Sequence, residues 1–237
     1  MEIAIDFVTV RRIIAEETRQ ARAEIAAHGP IAACEQSQHR HDARLAAAAD
    51  ANTLACNAGC SWCCHFTVDV RAAEVFRILD FMQRTLSATE LVRVRSEVEV
   101  NRGTMLQLSE IERMQHNTKC PFLAAGRCTI YAARPQTCRN YHATDAAGCR
   151  QSFEEPDNLD IDPEFAPLVY QAGASHVDGF TKALQAEGYD TAVYEMNIAL
   201  AAAMEQPEAA RARFLAKLAP FTELQGEDVP CEFADDE

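Results

Sequence analysis

The sequence has no apolar run long enough to span a bilayer, and its opening, Met1 to Val10, carries Glu2 and Asp6 rather than a basic start before an apolar stretch. Neither a membrane anchor nor a secretory signal is expected, which points to a soluble, cytoplasmic protein. No glycine-rich nucleotide loop is visible, and this counts against a conventional methyl-donor site. Asp50 and Asp69 flank a cysteine-rich stretch, but no carboxylate pair stands out as a general acid and base. Positive charge is scarce: 22 Lys and Arg against 36 Asp and Glu leave a net charge of −14. Nucleic-acid binding needs a basic footprint and gains no support. Glu223, Glu227, Asp228, Glu232, Asp235, Asp236 and Glu237 face no Lys or Arg near the end of the chain. Residues 223–237 therefore read as a solvated, partly disordered acidic tail. Internal repeats and alternating β-branched runs are missing as well.

Cysteine is what the sequence has in excess. Eight of its ten cysteines form two clusters: Cys56, Cys60, Cys63 and Cys64, then Cys120, Cys128, Cys138 and Cys149. A chain of 237 residues buries an adequate core without cross-links. In a reducing compartment such clusters are metal ligands more often than disulfides. Thiolate is a soft anionic donor suited to zinc, copper(I) and iron–sulfur clusters. Four thiolates saturate one zinc or one iron–sulfur cluster, and this chain has twice that number. Because neighbouring side chains diverge, Cys63-Cys64 suggests either two mononuclear sites or one polynuclear site.

Apolar periodicity makes the fold mainly α, a helical domain enclosing an irregular, metal-organised cysteine-rich loop region. Val10, Ile14, Ala21 and Ile25 share one face of a first helix that ends near Gly29-Pro30. A second helix, residues 31–50, has a poor apolar stripe and reads as a mobile arm. Val75, Leu79, Met82 and Leu86 mark a third. Ser87 with Glu90 forms a capping box for a long helix reaching Met114. Residues 117–160 look irregular, and a long irregular segment inside a compact domain needs an organiser. Helices return around Leu168 to Leu184 and Val193 to Met204, and Pro207 opens a last one. The expected division is an N-terminal helical arm (1–50), a cysteine-cluster metal-binding domain (51–155), C-terminal helices packed on it (156–222) and the acidic tail (223–237).

Between Arg113 and Arg150 the charge inverts, with Arg113, Lys119, Arg127, Arg134, Arg139 and Arg150 against the single acid Asp145. Guanidinium groups near sulfur stabilise thiolate; a basic surface loop is the simpler alternative. Cys56-xxx-Cys60-x-Trp62-Cys63 matches the signature that radical S-adenosylmethionine enzymes use for a [4Fe–4S] cluster, but the strand–helix units of their barrel are missing. The spacing still lets three local thiolates serve a cubane.

Cys56…Cys60-Ser-Trp-Cys63-Cys64, Cys120-Pro-Phe-Leu, Gly126-Arg-Cys128-Thr-Ile130-Tyr131, Arg134-Pro135-x-x-Cys138-Arg139 and Cys149 together resemble the CxxCxxCC (YkgJ-like) cysteine cluster family of zinc- or iron-chelating domains. The resemblance covers about residues 56–150. It implies that all eight cysteines belong to the family set, although the first spacing here is Cys-xxx-Cys. Tyr131, Arg134 and Arg139 match the family run and are the residues expected beside the bound group. The family includes flagellin lysine N-methylase-like proteins, so the resemblance permits a metal- or Fe–S-dependent protein N-methyltransferase. A metal carrier or redox sensor is the other alternative, and a protein substrate or partner fits either one.

Other residues are weighed singly. His65 and His142 are spare imidazoles near the thiols, while Trp62 is expected to shield the site from water. His39 and His41 would diverge on a helix. Cys34 and Cys231 lie outside both clusters.

Overall fold

The computed structural model describes residues 6–233. Asp6 caps α1 (Phe7–His28), accepting hydrogen bonds from the amides of Val8 and Thr9 at 3.1 and 3.2 Å. Gly29, at φ 83°, turns the chain where L side chains are strained, and Pro30 then opens α2 (Pro30–Ala46). After the first cysteine loop come β1 (Asp69–Arg71), α3 (Ala72–Thr85), α4 (Ala88–Met105) and α5 (Glu110–Met114). The second cysteine loop holds a hairpin of β2 (Leu123–Ala124) and β3 (Arg127–Cys128), followed by α6 (Gln136–Asn140) and α7 (Ala146–Glu154). Then follow α8 (Pro167–Ala186), β4 (Val193–Glu195), α9 (Met196–Glu205) and α10 (Pro207–Leu215). The chain is mainly α, and β1 pairs antiparallel with β4 to join the two halves of the sequence at Val70 and Tyr194.

One core, built on Val70, Phe76, Ile78, Phe180, Leu200 and Phe214, lies beneath α3, α8, α9 and α10. Cys120, Cys128 and Cys138 pack against its edge, so the second cysteine loop is anchored to the main body. The stripe Val75, Leu79 and Met82 is buried as its spacing predicts. The Ser87–Glu90 capping box is formed. The helix expected to run to Met114 instead breaks after Met105, because Ser109 and Glu112 make a second capping box that starts α5. Gly103 lies inside α4 without interrupting it. Val193 is in a strand rather than a helix. The segment 117–160 holds two short helices where none were expected.

Two further expectations are corrected. α2 is not a mobile arm: it packs between α1, α3 and α8. Its buried face includes Ser37, Gln38 and His41, which is why the apolar stripe looked poor. The stretch 223–233 is not free in solvent either. Glu227 pairs with Val193 at 2.9 Å in both directions, and Phe233 is buried. The amides of Glu232 and Phe233 donate to the Asp178 carboxylate at 3.0 and 2.7 Å. Phe221 and Phe233, spaced among the acids, supply the burial that holds this segment. Asp235, Asp236 and Glu237 lie outside the described residues.

Close helix approach depends on glycine at one interface in particular. A Cβ on Gly179 of α8 would come within 2.8 Å of both the Ile14 carbonyl oxygen and Glu17 Cβ on α1. A backbone oxygen cannot swing away, so Gly179→Ala is expected to lower stability by about 1–3 kcal/mol. Gly103→Ala, whose Cβ meets nothing within 4 Å, is expected to raise it by up to about 1 kcal/mol. Urea unfolding midpoints of the two variants check the pair.

Candidate metal centre

The first cysteine loop is shaped by its backbone. Gly59, at φ 100°, lets the Cys60 amide fold back onto the Asn57 carbonyl at 3.1 Å. A 3-10 turn over Trp62–His65 follows, closed by Cys64 N to Ser61 O at 3.1 Å and Phe66 N to Cys63 O at 3.3 Å. Two cross-loop bonds then stitch the second loop to the first. The Cys120 amide donates to Cys64 O and the Thr118 amide to His65 O, both at 2.8 Å. The hairpin sets Cys128 opposite Leu123 across a turn whose Ala125 and Gly126 both have positive φ.

Helices place the last two thiols. Cys138 is carried by α6, whose start is fixed by two bonds: Gln136 N donates to Glu74 Oε1 at 2.7 Å and Thr137 Oγ1 to Asp69 O at 2.9 Å. Cys149 is carried by α7, capped by Asp145, which accepts from Ala147 N and Gly148 N at 2.8 and 3.1 Å. Cys56 lies where the Ala55 amide donates to Ala143 O at 2.9 Å. All ten cysteines are free of disulfides.

Mutual electrostatics sort the thiols into two groups. Cys120 feels the charge of Cys138, Cys128 and Cys64, and Cys138 feels that of Cys128 and Cys64. Cys149 instead feels Cys56 and Cys60. Cys63 stands between, reaching Cys64, Cys138 and Cys56. Burial pushes Cys138 up to about 12 and Cys149 up to about 11, and holds Cys120 and Cys128 above the ordinary thiol range. Cys64 goes the other way, to about 7, because the Cys63 thiol donates a hydrogen bond to it and stabilises its thiolate. The same bond, with burial, raises Cys63.

The donor set fits a soft cation, since it consists of sulfur alone. Two amides support it: Phe122 N–H is directed at Cys120 and Ile130 N–H at Cys128, each lowering its thiol. Such bonds to sulfur orient ligands and favour thiolate. Among the described residues, no three His, Cys, Asp or Glu side chains already form a group that could hold a metal ion. Ligation therefore calls for the thiols of the stitched loops to draw closer together.

The arginines expected beside the bound group brace its walls. Arg139 is fully buried; it pairs with Asp42 and donates to Ala132 O at 2.7 Å and Arg134 O at 3.0 Å. Arg134 stacks 3.8 Å from the ring centre of Tyr131 and pairs with Asp42 at 3.4 Å. Both lower Cys128 through their charge, and no hydrogen bond ties them to sulfur. Tyr131 is 64% exposed. His65 Nδ1 lies 3.1 Å from the Ser61 carbonyl, a bond that holds it to its own turn. Trp62 packs at 5.3 Å and His65 at 4.8 Å from the Phe153 ring on α7, covering one side of the first loop. Sequence reasoning missed Asp42, Glu74 and Phe153. Asp42 and Glu74 act across the fold from helices, and only Glu74, three residues past the α3 cap, carried a local signal.

No curated protein and no solved structure matches the chain. A family model does: residues 55–161 match CxxCxxCC, described as a "putative zinc- or iron-chelating domain". The stretch that matches is the one that stitches the two cysteine loops together, and it makes up a little under half of the chain.

Proposed function

We propose that this chain is an eight-thiolate zinc or iron protein of the cytoplasm with two adjacent four-sulfur sites. Cys64, Cys120, Cys128 and Cys138 form the inner site, and Cys56, Cys60, Cys63 and Cys149 the outer. The observation that carries this reading is that Cys120 and Cys138 share one set of thiol neighbours and Cys149 another, with the Cys63–Cys64 pair between them. Assigning one sulfur of that pair to each side gives each side the four donors that complete a tetrahedral shell or anchor one [4Fe–4S] cluster. A bound ion supplies cross-links between loops that otherwise meet through few backbone bonds.

The two sites differ in access, and this favours a carrier or sensor role for the outer one. Cys120, Cys128 and Cys138 of the inner site pack against the main core, whereas Cys56 of the outer site is exposed. Metal analysis of anaerobically purified protein should give two equivalents per chain if each site holds one ion. A chelator should then remove metal in two phases, the fast one abolished by Cys56→Ser. A single phase releasing all the metal would sink the two-site reading, and a four-iron visible spectrum would convert it to a cluster.

A further inference from the structure

A cleft of about 800 Å³ opens on the face next to the outer thiols. Its aromatic walls are Tyr141, Phe165, Tyr170 and Phe233. Tyr141 is shared with the thiol region: its ring meets Phe66 at 6.0 Å and Phe165 at 5.3 Å, and its hydroxyl feels Cys149, Cys63 and Cys56. Pro167, Val177 and Val193 add apolar surface. The charge is one-sided, with Asp69, Asp162, Asp178 and Glu232 against the single cation Arg71. Two carboxamides of the lining are nine-tenths or more buried, Gln136 at 2% and Gln171 at 8% exposure. Gln136 Oε1, Gln171 Nε2 and the neighbouring Asn140 Oδ1 have no hydrogen-bond partner among the described residues.

We propose that this cleft binds a small organic cation, a primary amine on an apolar or aromatic body. The ring walls suit such a ligand twice over, taking its apolar part by burial and its ammonium by attraction to the ring faces. Ammonium also suits the rim. Asp178 is already engaged by the amides of Glu232 and Phe233, and Glu232 Oε2 accepts from the Tyr170 hydroxyl at 3.2 Å, which leaves Asp69, Asp162 and the second oxygen of Glu232 for the ligand. Partial desolvation at the rim raises Asp69 and Glu232 above the usual carboxylate range, and nearby acids, Glu227 and Glu110 for the first and Asp178 for the second, push the same way. A cation between them relieves both effects. An anionic ligand would face three net negative charges, and a neutral one would leave the carboxylates uncompensated. The proposal does not rest on the metal assignment.

Calorimetry on the full, metal-loaded chain tests it with three ligands that differ only in the head group: 2-phenylethylamine, 2-phenylethanol and phenylacetate. The amine is expected to bind at least about tenfold more tightly than the alcohol, with phenylacetate weakest. Asp69→Asn and Glu232→Gln should each weaken the amine about tenfold and leave the alcohol unchanged. Equal affinity for amine and alcohol, tighter binding of phenylacetate, no saturable binding of the amine, or full amine affinity in both variants would each overturn it. The wild-type comparison of the three ligands decides the matter even if a variant fails to fold.

Discussion

Cys138→Ser is expected to destabilise the protein by on the order of 5 kcal/mol in the presence of metal, whereas Cys56→Ser costs roughly 1 kcal/mol. The difference comes from where each sulfur sits. Cys138 rides on α6 against the main core, and α6 is tied to α3 through Glu74 and to β1 through Asp69 O. Serine there removes one of four donors and leaves a buried hydroxyl beside the other thiols. Cys56 is exposed, and its loop remains attached through the bond from Ala55 N to Ala143 O. Stripping all metal from the wild type should reproduce the larger effect, since structural zinc sites contribute folding energy outright. Hydrogen exchange then separates local from global loss. Amides of residues 117–140 should lose protection first, while those of α8 and α9 keep theirs. Equal destabilisation by the two serine variants would mean that the inner thiols are not the organising site.

Parts of this architecture were legible in the sequence because their causes are local. The face of Val10, Ile14, Ala21 and Ile25, the Ser87–Glu90 box and the Gly29-Pro30 break each depend on residues within a few positions of one another. The cysteine clusters were legible for the same reason, and their loops do meet, through Cys120 N and Cys64 O. What sequence could not give was the proposed division of the eight thiols. It depends on the two cross-loop bonds and on which way a 3-10 turn sends Cys63 and Cys64, and neither leaves a periodic trace. α2 was misread because apolar spacing is blind to a buried polar face. Ser37, Gln38 and His41 are enclosed only because α8 brings His176 and the second cysteine loop brings Arg139 and Gln136 to meet them. The segment 223–233 was misread because its acids dominate the composition, while Phe221 and Phe233 determine where it lies.

The same buried polar face makes the protein sensitive to mild acid. His41 and His176 are both fully enclosed and stack with ring centres 4.8 Å apart. His176 Nε2 lies 3.0 Å from both the hydroxyl and the carbonyl of Ser37. Glu17 on α1 lies 3.5 Å from His176, and such a carboxylate favours the charged ring. Its charge, however, is already taken by Arg40, which donates to both of its oxygens at 2.7 and 2.8 Å. Arg44 and Arg139 face the pair as well, and Asp42, the nearest acid to His41, is shared with Arg134 and Arg139. Burial therefore wins: it lowers His176 to about 3 and, together with the neighbouring ring, sets His41 well below the ordinary range. Above about pH 6.5 both rings are neutral folded or unfolded, and the full stability is present. Below that value the unfolded chain takes up protons that the native state refuses. Stability then falls by about 1.4 kcal/mol per pH unit for each histidine, down toward the folded value. Urea unfolding between pH 7 and 5 at fixed free metal should show a slope to which this pair adds up to two protons, on top of the share from the thiolates and from His142, which burial also lowers. His176→Gln should remove about one proton from it, a comparison that subtracts the acid sensitivity of the thiolates because both proteins share it. A slope unchanged by that substitution would place the acid sensitivity at the metal centre instead.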